Sequence, residues 1–376
     1  MKKLILGSLI VVTSLISVGD VLLPNNSTIA DIQTAIDNAQ PGDVITLEDG
    51  TYIVDQTLFV TKGVALTGSH RDACILAGDG SMPLETALVI DNADACVKAL
   101  TISGIKTKTA YNFTGVGVQI KAGLLTQARV TGCKSLAVDY TVNRTAGVSL
   151  DGTHAVMTHC VIDHNEGTAG SNLGGVRIHK GGGTMVNCLV WANTGVTAGG
   201  VSIVPDAWQH VKVVNCTIAG NTATSRGGGV AIEANTNFFW YNNVFYGPEL
   251  VNTIIAGNTA PSSEDIYFSF GDEASQTETG FNCLCPTANY GTNPQTGDPL
   301  FLSPGAGDFH LKHGSPARSA GDADKAASVL GYSLVGTVDF YGQPRVKFVS
   351  RKGIPDIDIG AAESKYSPIG LRISFR

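Results

Sequence analysis

A phrase returns down the middle of this chain and restricts its fold more than any other feature. Gly-Gly-Val stands at 174–176, 199–201 and 228–230, and an aliphatic-x-x-Asn phrase ends at Asn165, Asn193, Asn221 and Asn258. The aliphatic residue of the second phrase recurs at Ile102, Val130, Ile162, Val190, Ile218 and Ile255, and that of the first at Val118, Val148, Val176, Val201 and Val230. Both series keep a step close to 28 residues, stretched where Ala207–Val211 and the aromatic run Phe238-Phe239-Trp240-Tyr241 are inserted. Self-similarity at this period means that the unit of structure is a repeat.

Each phrase alternates with period two, as a half-buried strand does. In Val176-Arg177-Ile178-His179 the apolar residues share one face, and in Val186-Asn187-Cys188-Leu189-Val190 the inward set reads Val, Cys, Val. Gly and Asn are expected at the corners because they tolerate positive φ. Two phrases per period predict at least two strands per coil, and residues 81–260 carry no sustained helical spacing. Leucine-rich repeats need a leucine framework and a helical segment, both missing. Propeller blades are longer, and the calcium-binding nonapeptide is absent. The expectation is an all-β, right-handed parallel β-helix, one coil per period.

A solenoid needs its ends covered. Ile32, Ala35, Ile36 and Ala39 form one helical stripe, followed by the turn Gln40-Pro41-Gly42-Asp43, so a short N-terminal capping helix is predicted. The chain then divides into a signal peptide (1–19), an N-terminal cap with the first coils (20–80), the repeat region (81–270), C-terminal coils and tail (271–363) and a short end (364–376).

Lys2-Lys3, the apolar stretch Leu4–Val18 and the small-x-small site Ser17-Val18-Gly19 read as a cleaved export signal. The apolar run stops at Asp20, short of a membrane span, so no transmembrane segment is expected in the mature chain. A net charge of −7, with no basic run, excludes nucleic acid as a partner. Eight cysteines in an exported chain suggest disulfides, but Cys160, Cys188 and Cys216 occupy one inward slot that Leu100, Ala128 and Thr253 fill elsewhere. They are expected to be free, buried thiols.

Several phrases carry a family resemblance. Ile32-Gln33-x-Ala35-Ile36, Pro41-Gly42-Asp43 and Gly50-Thr51-Tyr52 resemble the opening of pectin-lyase-like β-helix proteins, and the repeat phrases are similar to those of polymorphic outer-membrane proteins. Asp298-Pro299-Leu300-Phe301, Gly307-Asp308-Phe309-His310-Leu311, Gly314-Ser315-Pro316-Ala317, Asp339-Phe340-Tyr341-Gly342-Gln343-Pro344-Arg345 and Asp358-Ile359-Gly360-Ala361-Ala362-Glu363 resemble the choice-of-anchor Q region of bacterial surface proteins. The resemblance implies a secreted or cell-surface location and a fold, and it implies no activity. Residues 364–376 depart from it, with neither a long apolar anchor nor an LPxTG-type phrase.

Stacking converts repeat positions into surface columns. Gln119, Ser149, Arg177, Ser202 and Ala231 form one; Lys121, Asp151, His179, Val204 and Glu233 form the next. Both are expected to face solvent. Arg177 and His179 with Asp151 are the catalytic candidates, for a lyase needs a base beside a uronate and a cation against its carboxylate. Lys121, Glu233, Trp240 and Tyr241 are the binding candidates, the last two as sugar-stacking aromatics in a loop leaving the rod. His154, His159 and His164 recur every five residues, which is no same-face interval, so no metal site is expected, and no cofactor. Two readings stay open: a non-catalytic glycan-binding or adhesin-like surface protein, and a polysaccharide lyase acting on an acidic glycan.

Overall fold

A computed structural model describes residues 19–80, 84–107, 115–136, 144–167, 170, 172–179, 181–204, 211–233, 240–241, 244–245, 247–269, 273–349 and 354–364. The chain is the expected parallel β-helix. Its coils contribute to three long faces and one short one. The first face stacks Val118–Ile120, Val148–Leu150, Val176–Ile178, Val201–Ile203, Val230–Ile232 and Ile266–Phe268 in parallel register. The second runs through Ala155–Thr158, Gly183–Val186, Val211–Val214 and Glu249–Val251. The third stacks Thr101–Ser103, Arg129–Thr131, Val161–Asp163, Leu189–Trp191, Thr217–Ala219 and Ile254–Ala256. Two-residue strands such as Glu166–Gly167 and Thr194–Gly195 make the fourth. Three main strands per coil, where two phrases were legible, follow from the bend that joins the first and second faces inside Leu88–Lys98 and Val118–Thr126.

Helix α1 (Ile29–Asn38) caps the first coil. The Thr28 hydroxyl accepts from Asp31 N and the Asp31 carboxylate accepts from Thr28 N, a reciprocal box that pairs two donors a helix start leaves open. Ile29, Ile32 and Ile36 are buried against the coils. Two further helices, α2 (Glu273–Glu278) and α3 (Ala323–Leu330), lie after the repeats.

The Gly-Gly-Val refrain has a different cause from the one expected. None of its glycines has positive φ. They are required because adjacent coils approach closely there: a Cβ at Gly200 would sit 2.5 Å from the Gly229 carbonyl oxygen, 2.8 Å from Ile218 Cγ2 and 2.9 Å from Asn221 Nδ2. Positive φ is used at two other columns. Ala99, Gln127, His159, Asn187, Asn215, Asn252 and Asn282 turn the second face into the third, with φ between 49° and 58°. Gly104, Gly132, His164, Ala192, Gly220 and Gly257 turn off the far end of the third. His159 and His164 therefore belong to different corners, and no group of metal-ligating side chains occurs among the described residues.

Inside, the refrain's asparagines form a buried ladder. Each side-chain oxygen accepts from the backbone N and Nδ2 of the asparagine one coil earlier, at 3.0 Å for Asn165 to Asn193 and for Asn193 to Asn221. Asp265 ends the series, accepting from Asn258. Cys160, Cys188 and Cys216 occupy the predicted inward slot; all eight cysteines are free. Burial holds the Cys188 and Cys216 thiols well above the ordinary range.

The coils end near Gln295, and the remaining chain turns back along the outside of the rod. It covers the third face, where Phe301, Phe309, Leu311, Ile359 and Ala361 pack on Leu189, Ala219, Ile254 and Ala256. It covers the second with α3, whose Ala326 and Val329 lie in one cluster with Val214 and Val251. Asn252 binds the segment twice, donating to Asp322 O and accepting from Asp322 N. No helix among the described residues is long and apolar enough to cross a membrane.

Candidate functional site

The columns expected to carry chemistry are partly where they were placed and differently exposed. Ser149 and Arg177 pair across coils, and Asp151 Oδ1 comes 3.8 Å from His179 Nδ1, so the three catalytic candidates do converge. They do not face open solvent. Arg177 is 1% exposed and His179 4%, and Ser149, Ser202 and Ala231 are equally buried. Leu173 and Ala198, on segments that enter the first-face strands, form a buried cluster with Ala231 and Tyr267. An outward side chain in a solenoid is exposed only where no inter-coil segment folds over it. Burial pushes the Arg177 guanidinium down to about 10, against the pull of Asp151 and Glu233. The Asp151 carboxyl is held below its usual range by His179 first, with Gly181 N assisting and burial opposing.

The binding candidates are dispersed. Lys121 pairs with Asp91 at 3.2 Å, and Glu233 accepts from Arg226 Nη2 at 3.0 Å. Trp240–Tyr241 form a short antiparallel ladder with Val244–Phe245; their side chains lie outside the described residues.

A large opening lies elsewhere, on the outside of the third face. A cavity of about 780 Å³ runs between the coils and the returning segment. Its floor is Ala219 and Ala256 with the corner Ala192, Gly220, Gly257, small residues that leave room where larger ones would fill it. Its roof comes from Asp298, Pro299, Phe301, Pro304, Gly305 and Phe309. From His164 to Gly257 is three coil steps, about 14 Å at the strand spacing.

Trp191 stands at one end. Its ring lies edge-on to His164 at 4.8 Å and to Phe309 at 5.8 Å between centroids. Beyond it a second cavity of about 190 Å³ is lined by Arg71, Arg129, Gly307 and Tyr341, so the indole separates two openings. His164 is oriented from below: its Nδ1 is 2.7 Å from the Asp163 carboxylate, which also takes both Arg129 Nε (2.8 Å) and Nη2 (2.5 Å). Asp163 is fully buried while the His164 side chain is 54% exposed, so a fixed carboxylate orients an imidazole that faces the groove. Two more carboxylates, Glu264 and Asp298, stand exposed on the lining; Asp265 is spent inside, on Asn258 and Thr287.

The sequence does not join Trp191 to His164, because the wall that makes them a site comes from residues more than 100 positions later. One signal was present. Leu189-Val190-Trp191 and Ile254-Ile255-Ala256 are apolar on both strand faces, as strands buried on both sides are.

No protein-family model and no curated protein matches the chain. Among solved structures, it is similar to pectate lyase Pel9A, at 12% identity over 92% of this chain and 96% of that one, with a TM-score of 0.41. It is also similar to a pectin methylesterase solved with a hexasaccharide (13% identity, 68% of this chain and 94% of that one, TM-score 0.30). A third is the A-module of the Azotobacter vinelandii mannuronan C-5 epimerase AlgE4 (12% identity, 75% and 96%, TM-score 0.27). Similarity at this level is one of β-helical chain path alone.

Proposed function

We propose that this chain is a non-catalytic glycan-binding protein of the bacterial cell surface or exterior, holding a short stretch of polysaccharide in the groove over its third face. The groove itself carries the reading: an open channel along the rod, floored by small residues, with an indole and an imidazole at one end and polar groups along the wall. Sugar rings bring one apolar face and many hydroxyls, and this lining offers an aromatic surface and acceptors for them. The adhesin-like role, the likeness to choice-of-anchor Q and polymorphic outer-membrane proteins, and export all rest on the sequence phrases. Lys2-Lys3, Leu4–Val18 and Ser17-Val18-Gly19 support export; a chain recovered outside the cell with its N terminus near Asp20 is the corresponding expectation.

A glycine provides the test. A Cβ added at Gly305, in the groove roof, meets nothing within 4 Å, so Gly305→Trp adds bulk at the channel without displacing the fold. On a glycan array, binding to the recognised polysaccharide should fall by about tenfold or more in Gly305→Trp and in Trp191→Ala, while the melting temperature of Gly305→Trp stays that of the wild type. Binding that ignores Gly305→Trp would remove the groove from consideration.

The second reading, a lyase acting on uronate glycan, draws on the convergence of Arg177, His179 and Asp151. It requires that substrate reach two buried side chains. Unsaturated product absorbance from a panel of uronic polymers, lost in His179→Ala, would favour it.

A further inference from the structure

The charges around the groove point to the kind of glycan it takes. Among the described residues no Lys or Arg lines the cavity; Glu264 and Asp298 do, both exposed, and the imidazole of His164 is already committed to Asp163. Arg129, on the same face two coils before Trp191, is neutralised by two bonds to that same Asp163. A polyuronate laid along this channel would put its carboxylates beside like charges with no cation to receive them. Like charges brought together in a partly enclosed cleft oppose association, and complementary ones favour it.

We infer that the groove recognises an amino-sugar polymer with free amines, its ammonium groups meeting Glu264 and Asp298 while a ring packs on Trp191. The inference rests on the glycan-binding reading and narrows it. Carboxylates at the rim confer selection more than affinity, so the effect to look for is a preference among glycans of equal length.

Three oligosaccharides of one length make the test: a glucosamine oligomer, its fully N-acetylated counterpart and an oligogalacturonate, each titrated calorimetrically against the whole chain. The glucosamine oligomer should bind about tenfold or more tighter than either other ligand at low salt, and the advantage should shrink as ionic strength rises. Glu264→Gln combined with Asp298→Asn should reduce that preference to about threefold or less; Asp298→Asn keeps the side-chain oxygen that accepts from Leu300 N. Gly305→Trp should abolish binding of the glucosamine oligomer. If the oligogalacturonate binds as tightly as the glucosamine oligomer, or if the double variant keeps the full preference, the inference is overturned while glycan binding in the groove stands. If none of the three binds and no other glycan senses Gly305→Trp, the glycan reading itself falls with it.

Discussion

Replacing Arg345 with alanine is expected to cost about 3–5 kcal/mol at pH 8, the penalty of leaving a buried partner charge behind. Arg345 is fully buried and spends its guanidinium on four acceptors: Glu363 Oε1 at 2.7 Å, Gly360 O and Ala361 O at 3.0 Å, and Asn187 Oδ1 at 2.6 Å. Asn187 belongs to a coil and the others to the returning segment, so this one side chain ties the two together. Glu363 in turn accepts from Asp358 N and faces Lys347 at 3.5 Å. Asp339, which takes Glu363 N, Tyr341 N and Gln343 N, shapes the turn that delivers Arg345. Urea denaturation with limited proteolysis measures the loss, and the first cuts should fall after residue 296, in the segment whose anchor is gone. Arg345→Met with Glu363→Met should recover most of the stability, because the cost lies in the unpaired charge; an equal loss in the double variant would contradict this account.

The pH dependence follows from the same pair. Burial outweighs the two cations and pushes the Glu363 carboxyl from 4.5 up to about 7. A carboxyl raised on folding favours the protonated folded state, so its contribution is full below pH 4.5 and is lost as pH rises through about 7. Wild-type stability should therefore decline across that window, and Glu363→Gln should flatten the decline. Without Arg345 the carboxyl takes up a proton more readily, so Arg345→Ala should cost less at pH 6 than at pH 8.

A comparable loss, about 3–5 kcal/mol, is expected from Asn221→Ala. Its side chain donates to Val190 O (3.0 Å), Ala219 O (3.3 Å) and Asn258 Oδ1 (3.0 Å), and its oxygen accepts from Asn193 N and Nδ2. All of this is sealed from water. Truncation strands at least two buried polar groups at about 1–3 kcal/mol each, and leaves a cavity. Asn221→Leu separates the causes: it restores volume and no hydrogen bond, so it should remain close to the alanine variant. Full recovery by leucine would show that the ladder acts through packing alone. Because each coil touches only its neighbours, the damage should be greatest in hydrogen exchange of the coils around Asn193 and Asn258.

Much of the interior was legible from residue spacing. Ile102, Val130, Ile162, Val190, Ile218 and Ile255 point inward as read, Cys160, Cys188 and Cys216 share their slot, and α1 buries the Ile32–Ile36 stripe. The outside was legible only in part. Arg177 and His179 project away from the core as alternation requires, yet they are covered, because alternation reports direction along a strand and carries nothing about what crosses above it. The role of Trp191 as a groove wall depends on Phe309 and Gly305, which no local pattern connects to it.

The sequence by itself determined the coil. A 28-residue period, β-branched inward positions, glycines where backbones nearly touch and asparagines that bond to the next copy of themselves are local rules, and stacking repeats them. Tertiary structure decided which flank of the rod stays open. That depended on where the segment after residue 296 came to rest: on Leu189, Ile254 and Val214, held by Arg345, and standing clear of the corner Ala192, Gly220 and Gly257. Contacts of this kind join residues more than 100 positions apart through shape and burial, and no periodicity in the chain encodes them.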